Sequence, residues 1–194
     1  CIRDSARRIC ETIGTLNMPS VAEKLGQMAA QAAMVEGLVY GMESGGGYYN
    51  GYYVPDRNLM YTAQVLTQQL YPEFITSMRE IAGGGLIMLP SSVKDFENPE
   101  IARYIHATQN SAVGTSEEKV KFMKLAWDAI GSEFASRHTQ YEMFYAGAQF
   151  VTRGHALRTY DWNRSKILVD DILNSYNLED MFEEKNISSN MSSR

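Results

Sequence analysis

Apolar residues at Met18, Val21, Leu25, Met28, Ala32, Val35, Val39 and Met42 recur at alternating steps of three and four. That rhythm keeps them on one face of a helix for several turns, close to the seam of a bundle. Pro19 suits the first turn, where a missing N–H costs nothing, and Gly45, Gly46 and Gly47 end the run. Gly26, Ala29, Ala30 and Ala33 leave room for a neighbouring helix, so this segment is expected to be a core helix. A second pattern spans Arg57 to Ala82 through Leu59, Ala63, Leu66, Leu70, Phe74, Met78 and Ile81, with Asp56 as N-cap. Pro72 inside it should kink the helix or remove one backbone bond. Asn98 before Pro99 opens a short helix to about Thr108.

The longest regular element follows. Thr115 and Glu118 form a capping box, and a stripe of Val120, Met123, Trp127, Ile130, Phe134, Tyr141 and Phe144 continues behind it. Arg137 is the polar residue on that stripe. It either snorkels or pairs with Glu133 one turn earlier, or it is a buried cation aimed at an anion or a partner subunit. A last helix is expected over Ala156 to Tyr176, through Leu157, Tyr160, Leu168 and Ile172. No strand-period alternation stands out, so the expected class is all-α, with residues 1–182 as one helical domain and 183–194 as a flexible tail.

Between the first two helices lie Tyr48, Tyr49, Tyr52 and Tyr53 among glycines. They read as an ordered surface loop packing its rings on the bundle, or as the lining of a ligand site or subunit contact. Composition narrows the remaining classes. Hydrophobic residues are 44% and charged residues 21% of the 194, which argues against a disordered chain. A net charge of −5 gives no basic face for nucleic acid. The stretch Met28 to Met42 carries Gln31 and Glu36, so no membrane span is expected. With no signal-like start, a cytoplasmic location and a truncated or processed N-terminus are expected. Asn-x-Ser triplets at Asn163, Asn186 and Asn190 are then chance matches. Cys1 and Cys10 have neither disulfide-scaffold nor zinc-ligand spacing, and no metal is inferred.

The strongest local anomaly is Gly83-Gly84-Gly85-Leu86-Ile87-Met88-Leu89-Pro90-Ser91-Ser92. Successive glycines after a helix let bare amides approach an anion or a flat ring. No Lys-Ser/Thr follows, so it is no Walker loop, and a helix rather than a strand precedes it, so it is no dinucleotide fingerprint. The structural reading is a glycine C-cap and a turn, for which one glycine suffices. None of His106, His138 and His155 is read as pairing with another His or a carboxylate at metal spacing on a shared helix face, and no Gly-x-Ser-x-Gly elbow occurs. Spacing alone therefore ends at an all-α bundle with a glycine-rich loop.

Longer motifs carry further. Leu89-Pro90-Ser91-Ser92-Val93-Lys94-Asp95-Phe96-Glu97-Asn98-Pro99, then Met123 to Phe134 with Arg137-His138, then Tyr141-Glu142 with Phe144-Tyr145-Ala146-Gly147, resemble the C-terminal part of the 4-hydroxyphenylacetate 3-monooxygenase family. These are oxygenase components of two-component flavin-dependent phenol hydroxylases. Val21 to Gly37 and the Arg79 to Gly85 turn also resemble the helical C-terminal domain of acyl-CoA dehydrogenases, whose fold that family shares. The resemblance implies an up-and-down bundle with extra C-terminal helices, assembled as a homo-oligomer, usually a tetramer. It implies that Gly83, Gly84, Gly85, Leu86 and Ile87 offer backbone to FAD, with Pro90, Ser91 and Asp95 nearby. By the same implication, a separate reductase supplies FADH2 and a phenol is hydroxylated at the ortho position. Arg137 becomes an inter-helix or inter-subunit ion-pair candidate.

The family's N-terminal helical and middle β-barrel domains have no counterpart here, and substrate and acid/base residues lie largely there. No catalytic residue is carried over, and the 194-residue chain alone is expected to be inactive. Two alternatives remain: a 4-hydroxybutyryl-CoA dehydratase-like domain of the same fold, or a non-catalytic helical assembly domain.

Overall fold

The computed structural model describes residues 2–176, and the expected tail at 183–194, with Asn186 and Asn190, lies outside them. The chain divides into two compact units, Cys1–Arg158 and Thr159–Arg194. In the first, helices α1 (Ile2–Ile13), α2 (Pro19–Ser44), α3 (Arg57–Ala82), α4 (Pro99–Thr108), α5 (Ser116–Ile130) and α6 (Glu133–Phe144) are followed by α7 (Gln149–Thr159), which runs across the division. Strands β1 (Gly47–Tyr49) and β2 (Tyr52–Val54) form a hairpin between α2 and α3. The architecture is helical, as the spacing predicts.

The caps explain most boundaries. Asp56 accepts from the Leu59 amide at 2.8 Å and opens α3. Asn98 accepts from the Glu100 amide, with Pro99 as the first residue of α4. Thr115 and Glu118 satisfy each other's amides at the start of α5. α3 continues through Pro72, where the ring removes one donor and Thr76 adds a hydroxyl bond to the Pro72 carbonyl.

The core lies where α1, α2, α3 and α5 meet, built from Ile9, Met28, Ile75, Met78, Met123 and Ile130. Burying a side chain such as Met78 stabilises by about 1.5–3 kcal/mol. Arg79 closes one end of this core, its Nε donating to the Ile130 carbonyl at 2.6 Å. A buried polar link ties α7 to α3. The Thr152 hydroxyl donates to Gln68 Oε1 at 2.8 Å, and Gln68 Nε2 donates to the Gly147 carbonyl at 2.9 Å. Each buried polar atom there is paired, which removes the penalty of taking it out of water.

Five expectations change. The tyrosine segment is a β-hairpin, with Tyr48 opposite Tyr53 and Tyr49 opposite Tyr52. Its turn is Asn50-Gly51, at φ 50° and 82°, the pairing that two-residue hairpins favour. The expected long element from Thr115 to Phe144 is two helices, because Ser132 caps the Ala135 amide. Gly131 at that break has no room for a Cβ, which would lie 2.5 Å from Trp127 Cε3. The last helix is likewise divided. α7 ends at Thr159, and α8 (Trp162–Asn174) begins in the second unit under its own N-cap, Asp161.

The remaining corrections concern burial. In α2 only Met28 and Gln31 are buried, while Met18 and Val39 are exposed. On the α5–α6 stripe Val120, Met123 and Ile130 are buried, but Trp127, Phe134, Tyr141 and Phe144 are exposed. Arg137 is exposed as well, and its Nε lies 3.4 Å from Glu133 on its own helix. The intrahelical reading holds for that residue.

Candidate functional site

α3 ends at Gly83, whose φ of 56° and ψ of −149° fall in a region essentially closed to side chains. The chain turns there through one 3-10 turn, Gly83–Leu86. Gly83 is therefore the glycine that the cap requires. A Cβ built on Gly85 would sit 3.4 Å from Met123 Cε, an ordinary contact. Gly84 is different: a Cβ built on it meets no heavy atom within 4 Å, and its φ is not in the left-handed range. Among the described residues no packing contact requires glycine at position 84.

The turn is rigidly held. Leu86 is buried in the core, so only its backbone is available. The buried Gln109 donates from Nε2 to the Met88 carbonyl at 2.9 Å, and Lys124 Nζ donates to the Ser91 carbonyl at 3.1 Å. Ser92 is the N-cap of the second 3-10 turn, Val93–Glu97, and Asp95 completes its capping box. Asp95 Oδ2 accepts from the Ser92 amide at 3.0 Å and from the Ser91 hydroxyl at 3.2 Å. Ser91 and Asp95 are therefore spent on the loop's own shape, and Pro90 is half-buried beside them. Ile87 is 82% exposed, with Met88 and Val93 also turned outward. The eight candidate residues share one loop, which presents a bare glycine backbone and an apolar rim.

A cleft of about 560 Å³ lies on the other side of α5, lined by residues that include Arg8, Lys119, Lys121 and Phe122. The Arg8 guanidinium sits 5.0 Å from the Phe122 ring centroid, a cation–π arrangement. Glu118 is the acidic residue of the lining, and its carboxylate is occupied in capping the Thr115 amide at 2.9 Å. The cleft thus carries more positive than negative charge. Met123 and Lys124 meet the glycine loop while Phe122 and Leu125 line the cleft, so one turn of α5 separates the two features. Sequence reading missed this cleft because Arg8 comes from α1, more than a hundred positions from the lysines.

A further titratable group sits on α6. His138 Nε2 lies 3.2 Å from Glu142 Oε1 at i,i+4 spacing, so a His–carboxylate pair does share a helix face, contrary to the sequence reading. The Tyr71 ring meets His138 edge-on at 5.5 Å. Burial first, and the Glu142 charge second, push the Tyr71 phenol above its ordinary value. Among the described residues no group of three or more His, Cys, Asp or Glu could hold a metal ion. Nor is any described helix long and apolar enough to cross a membrane.

The helical topology is that of an acyl-CoA dehydrogenase-like fold. A solved 4-hydroxybutyryl-CoA dehydratase from N. maritimus superposes with a TM-score of 0.80 at 20% identity, over 91% of this chain and 35% of its own, a likeness of fold alone. The sequence profile described as 4-hydroxyphenylacetate 3-hydroxylase C terminal matches residues 2–174, and the chain belongs to that family.

The oxygenase component of 4-hydroxyphenylacetate 3-monooxygenase from Pseudomonas aeruginosa is 35% identical over 147 residues, 75% of this chain and 28% of the relative. The Escherichia coli oxygenase component is 33% identical over 176 residues, 88% of this chain and 34% of that protein. A crystal structure of such an oxygenase component complexed with FAD superposes with a TM-score of 0.84 at 26% identity, covering 89% of this chain and 36% of the other. The chain therefore spans about a third of the length of these relatives.

Proposed function

We propose that this chain is the C-terminal helical domain of a reduced-flavin-dependent phenol ortho-hydroxylase, and that it forms one wall of the FAD site. The observation that carries the reading is Gly84, a glycine with open space outside it and no role in the fold. A planar ring laid on the backbone there would account for it, with Ile87 and Met88 as apolar edges. The basic cleft across α5 suits the pyrophosphate of the same dinucleotide, since Arg8, Lys119 and Lys121 are cations with few acidic neighbours. Bound FADH2 would supply the oxygen-activating chemistry. The residues of this chain orient the flavin and exclude water along one side.

The partners that follow are a flavin reductase, a phenolic substrate and further copies of the same chain, in the cytoplasm. Lacking the other walls, the 194-residue chain binds flavin without hydroxylating phenol. Anaerobic titration of the chain with reduced FAD tests this, read by tryptophan fluorescence. Saturable binding that weakens in Lys119→Ala/Lys121→Ala is expected, whereas no binding at all would favour a helical assembly domain without a ligand.

A further inference from the structure

The glycine loop carries one sulfur of its own, and it lies on the outer side. Met88 is 65% exposed, more than any other described methionine; Met18 and Met34, both at α2, follow at 51% and 46%. Met28, Met78 and Met123 are buried in the core. The contrast is sharpest at the loop itself. Met123 Cε lies 3.4 Å from a Cβ built on Gly85, and that residue is fully buried. One thioether is therefore shielded beneath the turn, and another is open to solvent on its rim.

Met88 is held by its backbone and not by its side chain. Its amide donates to the Gly84 carbonyl at 3.3 Å, and its carbonyl accepts from Nε2 of the buried Gln109 at 2.9 Å. Both main-chain groups are thus paired, while the thioether shares the outer side with Ile87 and Val93. A flexible, polarisable side chain on an apolar rim suits contact with a flat ring. The same exposure leaves its sulfur open to attack by an oxidant.

The ligand proposed for this loop is itself a source of that oxidant. Reduced flavin left with oxygen and no acceptor gives up two electrons: FADH2 and O2 become FAD and hydrogen peroxide. A lone pair of a methionine sulfur then attacks one peroxide oxygen. The O–O bond breaks, an S=O bond forms, and the other oxygen leaves as water. Sulfur is oxidised by two electrons and peroxide is reduced by two. The product is a polar sulfoxide where an apolar edge stood, and methionine sulfoxide reductases reverse it.

We propose that Met88 is a peroxide-modified site of the glycine loop, and that its sulfoxide loosens the loop's hold on flavin. The second clause rests on the flavin reading above; the first rests on exposure alone. Losing one or two methylene equivalents of apolar contact should weaken reduced-FAD binding by about 4- to 15-fold. The fold should not change, because no core contact depends on this side chain.

The test treats the 194-residue chain with hydrogen peroxide, removes the peroxide, and reads oxidation by peptide mass mapping and helix content by circular dichroism. Anaerobic reduced-FAD titration follows on the same samples, beside Met88→Leu and Met88→Gln. The gain of about 16 Da per sulfoxide should appear at Met88 well before Met28, Met78 and Met123, at unchanged helix content. The oxidised parent should bind reduced FAD about 4- to 15-fold more weakly and recover after treatment with methionine sulfoxide reductases. Met88→Leu should show no change in affinity on peroxide treatment, and Met88→Gln should be weakened without any. Met88 oxidised no faster than Met123 would overturn the site. An oxidised parent of undiminished affinity, or a Met88→Leu variant that peroxide weakens equally, would overturn its effect on the ligand. A parent that binds no reduced FAD before treatment would overturn the flavin reading and that effect together, while early oxidation at Met88 would still establish the modification.

Discussion

Gly84→Ala distinguishes a glycine kept for the fold from one kept for a ligand, because the two roles move stability and binding in opposite directions. At position 84 a Cβ has open space around it and the backbone lies outside the left-handed range. Alanine there restricts the unfolded chain without straining the folded one, so the variant should gain about 0.4–1 kcal/mol. In a domain of this size that is an upward shift in Tm of about 1–4 °C.

Gly83→Ala, one position earlier, should do the reverse. Its φ of 56° and ψ of −149° cost a side chain about 1–3 kcal/mol. If the flavin ring rests on the Gly84 backbone, the new methyl occupies its place. Overpacking of that kind costs about 1–3 kcal/mol, or about 5- to 150-fold in affinity. Calorimetry and an anaerobic reduced-FAD titration on the same samples read both quantities. A stabilised Gly84→Ala with undiminished affinity would remove Gly84 from the flavin site. A destabilised one would show that the space outside the turn is not open.

Other expectations follow from buried groups. Thr152→Val leaves Gln68 Oε1 without its donor, which should cost about 1–3 kcal/mol; a urea midpoint equal to the parent's would mean that the link carries no stability. Asp95→Ala removes the acceptor for the Ser92 amide and Ser91 hydroxyl. Loss of that cap should cost about 0.5–2 kcal/mol and speed hydrogen exchange at the Ser92 amide, and unaltered exchange there would contradict the assignment. Burial raises the Cys10 thiol and the Tyr71 phenol above ordinary values of 9.0 and 10.0. Above those values the unfolded chain binds fewer protons than the folded one, so stability should decline as pH rises. The decline should start near pH 9 for the thiol and pH 10 for the phenol, and Tyr71→Phe should abolish the later part. A stability profile that stays flat to pH 10.5, roughly half a unit beyond the ordinary phenol value, would refute the burial argument.

Local chemistry was legible where the cause is local. Asp56, Asn98 and the Thr115–Glu118 box act through side chains on amides two or three residues away, so sequence alone places those helix starts. The hairpin was equally local and still missed. Asn50-Gly51 between tyrosine pairs is a strong hairpin signal, but the helix period on either side drew the reading toward an irregular loop. Ser132 is a further local signal that the stripe through Phe134 overrode. The basic cleft was not legible at all, because it needs α1 and α5 to be brought together by a core that sequence spacing does not locate.

The burial errors have one cause. A stripe at three- and four-residue steps reports that a helix face is apolar, not what covers it. In α3 the stripe faces α1, α2 and α5, and Met78 and Ile75 are buried. In α2 and α6 the same rhythm leads to Val39, Phe134 and Tyr141 on open surface. Reading those faces as core gave the right helical rhythm and the wrong burial. The glycine triplet repeats the lesson on a smaller scale. Sequence shows three equivalent residues, whereas geometry assigns Gly83 to the cap and leaves a Cβ at Gly85 just in ordinary contact with Met123. Gly84 is the one with open space outside it, and it is exposed, as those stripes are. A position unexplained by its own chain has to be explained by what approaches it.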